Sequence, residues 1–200
     1  RFARPIAHLQ RELLAMTDLA PRARRPDGPA VSPVTSDELQ ALFDLKYRQS
    51  GALGPDPARR LHFGYFNPDD HYEALVRRLV TPQTRWLDVG CGRDLFPSNR
   101  ALARELADRC ALLVGVDPDA TIHENSFVHR RVQGLVADLD TSERFDLVTM
   151  RMVAEHVAAP LDLLRTLARL VSPGGLVVVY TVNRYSPVPL VTAVTPFALH

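Results

Sequence analysis

The sequence has 200 residues, of which 46% are hydrophobic and 24% charged, and its formal net charge is +1. These values are ordinary for one globular domain with a buried core, so they exclude a disordered chain and a strongly charged one. No apolar run reaches the roughly 18 residues that span a bilayer, and the two cysteines, Cys91 and Cys110, lack metal-ligand spacing. We therefore expect a cytoplasmic protein with no integral membrane segment, no cysteine-bound metal and no nucleic-acid partner.

The amino-terminal part of the chain predicts helices joined by proline-rich segments. Apolar side chains recur at helical spacing in residues 5–19 and again after Ser36, which can cap a helix. Between them, prolines cannot continue a helix and arginines keep the segment solvated. The predicted elements are a helix at 5–19, a linker at 20–35, a helix at 37–48, a loop at 51–69 and a helix at 71–79.

From residue 81 onward the pattern changes to strands that alternate with helices. The predicted strands are 85–89, 111–116, 129–136, 145–150 and 175–182, and the predicted helices are 99–109 and 161–170. Continuous apolar strands separated by helices indicate a parallel sheet covered on both faces, which is an α/β, doubly wound domain. The chain then divides into an N-terminal helix and linker at 1–35, a helical cap or lid at 36–80 and the core at 81–200.

Two glycines follow the first core strand, at Gly90 and Gly92. Glycine there lets the backbone turn sharply and approach a ligand, and the next helix offers free amide groups. Asp88 lies inside the strand end, where a buried acid needs a partner. Asp117 closes the second strand, 25 residues after Gly92. A carboxylate at that place can accept both ribose hydroxyls of an adenosine ligand.

At these residues the sequence resembles the class I S-adenosylmethionine-dependent methyltransferases, nearest in pattern to the ubiquinone-pathway small-molecule enzymes. Their first motif is an acid followed by Gly-x-Gly, and their second is an acid that closes the second strand. The resemblance continues in Glu155-His156 and in Pro173-Gly174-Gly175, and it spans residues 85–184. It implies S-adenosyl-L-methionine as the cofactor. The residues assigned to the cofactor are Asp88, Gly90, Cys91, Gly92, Asp117, Pro118, Asp138, Arg151, Met152 and Tyr65.

Several of these assignments have a plain structural alternative. Asp138 matches the acid that recognises adenine in the family, or it is a surface acid. Met152 contacts the methionine portion of the cofactor, or it is a core residue. Tyr65 lies in an aromatic loop that either covers the cofactor or packs the amino-terminal helices on the sheet. Asp94 stands where the family usually has a third glycine, and it either contacts the cofactor or caps a helix.

Glu155 and His156 are the candidate catalytic pair. A histidine beside the methyl-transfer site can deprotonate a hydroxyl acceptor, and the pair can instead hold a divalent ion or serve only packing. Arg151 and Met152 follow the fourth strand, where nucleic-acid amino-methyltransferases carry an Asn/Asp-Pro-Pro-aromatic motif. The absence of that motif favours a small-molecule acceptor.

Two other functions remain open at this point. An NAD-type oxidoreductase would need a small residue at Leu95, which disfavours it. A catalytically silent S-adenosylmethionine-binding or assembly subunit is the alternative to an active O- or C-methyltransferase. Only 18 residues follow Val182, whereas the family adds two further strands. We therefore expect the core to be incomplete at its carboxyl end, or a second copy in a homodimer to cover the last strand.

Overall fold

Five parallel strands form the centre of the fold, in the order β3-β2-β1-β4-β5. This computed structural model describes residues 31–48, 55–139 and 141–182. The strands are β1 Arg85–Val89, β2 Leu112–Asp117, β3 Arg130–Gln133, β4 Phe145–Arg151 and β5 Val171–Tyr180. The α-helices are α1 Ser36–Phe43, α2 Pro55–His62, α3 Pro68–Leu79, α4 Arg100–Arg109 and α5 Pro160–Leu170. The predicted α/β fold is confirmed.

The order of the strands reverses beside β1, which pairs with β2 on one side and with β4 on the other. The chain moves outward from β1 through β2 to β3, then returns to the opposite side for β4 and β5. In open parallel sheets, ligands bind outside the carboxyl ends of the strands at such a reversal. The fold therefore directs attention to the segments after Val89, Asp117 and Arg151.

Alternating side chains of the strands supply two apolar layers, one on each face of the sheet. Trp86 belongs to the layer that α1, α3 and α4 cover, whereas its neighbour Leu87 belongs to the layer against α5. Both side chains are fully buried. Because successive residues of a strand point to opposite faces, this continuous apolar run can fill both layers at once.

The helical cap differs from the sequence prediction at two places. Thr35, not Ser36, caps α1, and its side chain accepts from the Glu38 amide in a reciprocal capping box. The predicted loop at 51–69 contains α2, which begins at Pro55. Proline breaks a helix in its interior but fits the first turn, where its missing N–H has no partner to lose. The prediction of a continuous loop at 51–69 was therefore wrong. The predicted helix at 5–19 and residues 20–30 of the predicted linker at 20–35 lie outside the described residues.

A buried ion network joins the cap to the core. Lys46 lies in a π-helical turn that continues α1. Its Nζ lies 3.3 Å from Asp70 Oδ1 and 3.1 Å from Glu73 Oε1, and all three side chains are nearly inaccessible. Asn99, which caps α4, donates to Glu73 Oε2 at 2.8 Å, and Arg60 of α2 pairs with Asp70. Two cations and two anions therefore balance inside the cap, as buried charges require.

The last described strand begins earlier than predicted and has one unpaired side. Val171 pairs with Phe145, and after an irregularity Leu176 pairs with Leu147. Within the described residues, the other edge of β5 bonds to no strand. Val177 and Val179 are half-exposed and line an open apolar groove of about 660 Å³. Among the described helices, none has the length and apolar character that crossing a membrane requires.

Candidate functional site

The loop after β1 turns sharply at two left-handed glycines. Gly90 has φ +75° and Gly92 has φ +45°, and the Gly90 N–H donates to the Val116 carbonyl at 2.7 Å. A Cβ on Gly90 would lie only 2.1 Å from Cγ2 of Val153. The loop is therefore held against β2 on one side and against the segment after β4 on the other, so Gly90 serves both backbone geometry and close packing.

The Asp117 carboxylate organises the loops at the ends of β1 and β2. Its Oδ2 accepts the Gly92 N–H at 2.8 Å, and its Oδ1 accepts the Asp119 N–H at 2.8 Å. The residue is 9% exposed, so solvent reaches only a small part of it. Each oxygen can accept more than one hydrogen bond, which leaves capacity for two hydroxyl donors.

Asn125 supports the glycine loop from beneath and was missed by the sequence analysis. Its fully buried side chain donates to the Gly92 carbonyl at 3.0 Å and accepts from the Phe127 amide at 3.0 Å. The Asn125 carbonyl in turn accepts from Arg131 Nε at 2.8 Å. No periodicity or motif marks this position, because its partner in the glycine loop lies 33 residues upstream.

Asp88 is a buried acid with a side-chain partner, as its position in the strand requires. Thr149 Oγ1 donates to Asp88 Oδ1 at 2.5 Å, and Trp86 Nε1 donates to the same hydroxyl at 2.6 Å. Burial raises the pKa of Asp88 from 3.8 to about 7, while Thr149 and the nearby charge of Arg151 act in the opposite direction. Asp88 therefore gains its proton readily in this site.

Arg151 and Met152 lie at the carboxyl end of β4, beside the glycine loop. Met152 has φ +56°, which is unusual for a residue with a side chain, and its N–H donates to the Tyr180 carbonyl at 2.7 Å. Met152 is 38% exposed, so the core alternative is wrong. The Arg151 guanidinium forms a two-pronged ion pair with Asp69 of the cap, which the sequence analysis also missed.

Glu155 and His156 follow in a short 3₁₀ turn, and both side chains are exposed. Glu155 Oε2 accepts from Thr181 Oγ1 at 2.7 Å, so the glutamate is anchored to the segment after β5. Within the described residues, no group of three or more histidine, cysteine, aspartate or glutamate side chains is placed to hold a metal ion. A divalent ion at this pair would thus lack a third ligand of these types from the described part of the chain.

Other predicted residues lie on the periphery of this arrangement. Pro118 and Asp138 are exposed, each in the turn that follows a strand. Tyr65 is 59% exposed and lines an open cavity of about 410 Å³ with Phe63 and neighbouring residues of α2. Asp94 forms an ion pair with Arg100 at 2.7 Å, in the first turn of α4.

Cys91 contributes backbone to the site rather than a reactive thiol. Its side chain is buried, and burial together with the nearby Asp88 and Asp117 carboxylates raises the pKa of the thiol. A thiol with a raised pKa is a poor nucleophile at neutral pH. The main-chain groups of residues 90–92 are therefore the part of this loop that a ligand can use.

The residues at the crevice fit the cofactor that the sequence motifs imply. A glycine turn, a nearly buried acceptor carboxylate at Asp117 and a guanidinium at Arg151 meet at adjacent strand ends. S-adenosylmethionine presents ribose hydroxyls, which need acceptors, and a carboxylate, which needs a cation or amide donors. Asp117 and Arg151 offer groups of the required types.

Comparisons with known proteins identify the family of the chain. The family model described as a methyltransferase domain matches residues 36–194. A ubiquinone biosynthesis O-methyltransferase of Xanthomonas campestris pv. campestris is 37% identical over 154 residues, which cover 74% of this chain and 61% of that protein. The protein of the same name from Roseobacter denitrificans is 36% identical over 124 residues, covering 54% and 46%. The chain thus spans roughly half to three-fifths of the length of these relatives.

A solved structure supports the fold independently. The plantazolicin methyltransferase BpumL, in complex with a pentazolic desmethylPZN analogue and SAH, superposes with a TM-score of 0.51 at 15% identity. The match covers 82% of this chain and 68% of that protein. Because the family model covers well over half of the residues, the chain belongs to the methyltransferase domain family, with the class I, S-adenosylmethionine-dependent fold that its motifs predict.

Proposed function

We propose that this protein transfers a methyl group from S-adenosylmethionine to a small-molecule acceptor, at an oxygen or a carbon atom. The observation that carries the proposal is the Asp117 carboxylate, which binds the amides of Gly92 and Asp119 while keeping acceptor capacity at the crevice. Family membership and the O-methyltransferase relatives support the same reaction. Net charge near zero and the lack of a nucleic-acid amino-methyltransferase motif after β4 favour a small acceptor over a nucleic acid.

The roles of the chain's own residues follow from their chemistry. Bound S-adenosylmethionine supplies an electrophilic methyl group on a sulfonium, so the protein mainly orients two reactants and excludes water. Asp117 would accept the ribose hydroxyls, the glycine loop would let the backbone approach the cofactor, and Arg151 would bind its carboxylate. Asp138 and Pro118 would contact the adenine, while Tyr65 and the cap would shield the acceptor.

For a hydroxyl acceptor, His156 takes the proton that the acceptor loses. Bound S-adenosylmethionine would supply the methyl group to the deprotonated oxygen and would leave as the neutral thioether, so the role of His156 is limited to the acceptor's proton. Glu155 holds the segment beside His156 through Thr181. A carbon acceptor with an acidic hydrogen would use the same base.

Calorimetric titration with S-adenosylmethionine and S-adenosylhomocysteine tests the cofactor site. We expect Asp117→Ala to weaken binding by at least about 10-fold, because it removes charge-assisted hydrogen bonds. Asp108→Ala, on the exposed face of α4, is the control and should bind as the wild type does. Equal affinities for all three proteins would contradict the assignment of Asp117.

Turnover separates an enzyme from a catalytically silent binding subunit. We expect methylation of a catechol or another hydroxylated aromatic probe, and an apparent rate for His156→Ala at least about 100-fold lower, in the range typical of general-base loss. S-adenosylmethionine binding without turnover across a broad acceptor panel would favour the silent subunit instead.

Two further assignments belong to the same proposal. We infer a cytoplasmic location, supported by the two buried cysteines, Cys91 and Cys110, which form no disulfide. The homodimer stays a prediction that the edge of β5 supports, since no other described strand pairs with it. Sedimentation equilibrium of the purified protein tests this prediction.

A further inference from the structure

The ion pair between Asp69 and Arg151 connects the helical cap to the carboxyl edge of the sheet. Asp69 is the second residue of α3, and Arg151 is the last residue of β4. Arg151 Nη2 donates to both carboxylate oxygens, at 3.0 and 3.2 Å, and Nε donates to Oδ1 at 3.3 Å. This two-pronged geometry fixes the plane of the guanidinium, which a single contact would leave free to rotate.

The arginine is also held by the ring of Tyr180. The guanidinium carbon lies 5.9 Å from the centre of that ring, and Tyr180 itself stacks on Tyr72 at 5.3 Å with an interplanar angle of 21°. The Tyr180 carbonyl accepts from Met152, the neighbour of Arg151. Carboxylate, ring and backbone therefore define one position for the guanidinium before any ligand binds.

This ion pair is poorly explained as a device for stability alone. The Arg151 and Asp69 side chains are 25% and 22% exposed, so solvent screens the attraction between them. The buried network around Lys46 already joins α3 to the rest of the cap and to α4. The Asp69–Arg151 pair adds an ionic contact between α3 and the sheet, at the place where we expect the carboxylate of the cofactor to bind.

The guanidinium has one donor group that its pairing with Asp69 does not use. Nε and Nη2 are engaged by Asp69, whereas Nη1 has no hydrogen-bond partner among the described residues. The Arg151 charge also acts on Asp88, at the end of β1, which locates it close to the glycine loop. An arginine held by an acid on one edge can bind a carboxylate on the other.

We propose that Asp69 is a positioning residue that holds Arg151 to bind the carboxylate of the cofactor's amino-acid portion. The proposal rests on the function proposed above, and it makes cofactor affinity depend on the cap. Because Asp69 acts only through Arg151, its removal matters only while Arg151 is present. Ligands that lack the carboxylate should be insensitive to both residues.

Calorimetry with two ligands tests this proposal. S-adenosylhomocysteine carries the carboxylate, whereas 5′-methylthioadenosine has the same nucleoside without it. We expect Asp69→Asn to raise the Kd for S-adenosylhomocysteine about 5-fold and Arg151→Met to raise it about 30-fold. Neither change should alter the Kd for 5′-methylthioadenosine by more than about 2-fold. The double variant should match Arg151→Met alone, because the effect of Asp69 passes through the arginine.

Glu105→Gln is the matched control, since Glu105 of α4 is 24% exposed and pairs with Arg77 of α3. It should bind both ligands as the wild type does. Equal losses for the two ligands in Asp69→Asn, additivity in the double variant, or an unchanged S-adenosylhomocysteine affinity would each overturn the proposal. Failure of the wild type to bind either ligand would instead overturn the proposed function, and this inference with it.

Discussion

Replacing Asp88 by Asn should change how the stability of the protein depends on pH. Burial raises the pKa of this acid from 3.8 to about 7, so its stabilising contribution is complete below about pH 4 and is lost as pH rises to about 7. A shift of about three pH units corresponds to roughly 4 kcal/mol in the free energy of unfolding. Asparagine keeps the oxygen that accepts from Thr149 but carries no charge, so it lacks this loss.

Urea unfolding at pH 5, 6, 7 and 8, followed by the fluorescence of Trp86, measures the effect. Trp86 is the only tryptophan and is fully buried. We expect Asp88→Asn to gain about 1.4 kcal/mol per pH unit relative to the wild type between pH 5 and 7, and to level off above pH 8. The exposed Asp108→Asn is the control and should show no such gain. A difference between wild type and Asp88→Asn that stays constant across this range would refute the reasoning.

Three further substitutions probe the packing of the site and the cap. Gly90→Ala should lower the free energy of unfolding by about 2–5 kcal/mol, because it adds backbone strain and a clash with the Val153 side chain. Adding Val153→Ala to the same chain should recover about 1–3 kcal/mol, as measured by thermal or urea unfolding. Asn125→Ala should lower stability by about 2–4 kcal/mol and weaken S-adenosylhomocysteine binding in calorimetry, since the Gly92 carbonyl and the buried Phe127 amide lose their partner. Unchanged binding would contradict the support that Asn125 gives to the loop. Lys46→Met should lower the free energy of unfolding by about 3–5 kcal/mol, because it leaves buried carboxylates without their cation. Arg165→Met, which removes an exposed ion pair with Asp162, should change it by less than about 0.5 kcal/mol, and similar values for both variants would disprove the buried network.

The sheet could be predicted from sequence because each core strand carries its own signal. β1 and β4 match the predicted bounds to within one residue, since uninterrupted apolar residues that fill both faces of a sheet are distinctive. The glycine motif and the acid at Asp117 could be located for the same reason, because their spacing is a local property of the chain.

The supporting contacts could not be predicted, because their partners are distant in sequence. Thr149 and Asp69 find their partners 61 and 82 residues away, and Asn125 reaches back 33 residues to the glycine loop. Only the folded sheet brings these groups together. The helix α2 escaped prediction for another reason: its two prolines indicate a loop, while Arg60 holds it in place through a buried contact with Asp70.

Lys46 is the single lysine of the sequence, so the acylation of its side chain can report on opening of the cap. Lys46 is 2% exposed, and its amine is engaged by two carboxylates, so an acylating reagent can reach it only when the surrounding helices separate. Brief acylation followed by mass spectrometry of the Lys46 peptide would measure how often the cap opens, without an added dye or a mutation. The ratio of the Lys46 acylation rates without and with S-adenosylhomocysteine would give the increase in the free energy of cap opening that ligand binding causes.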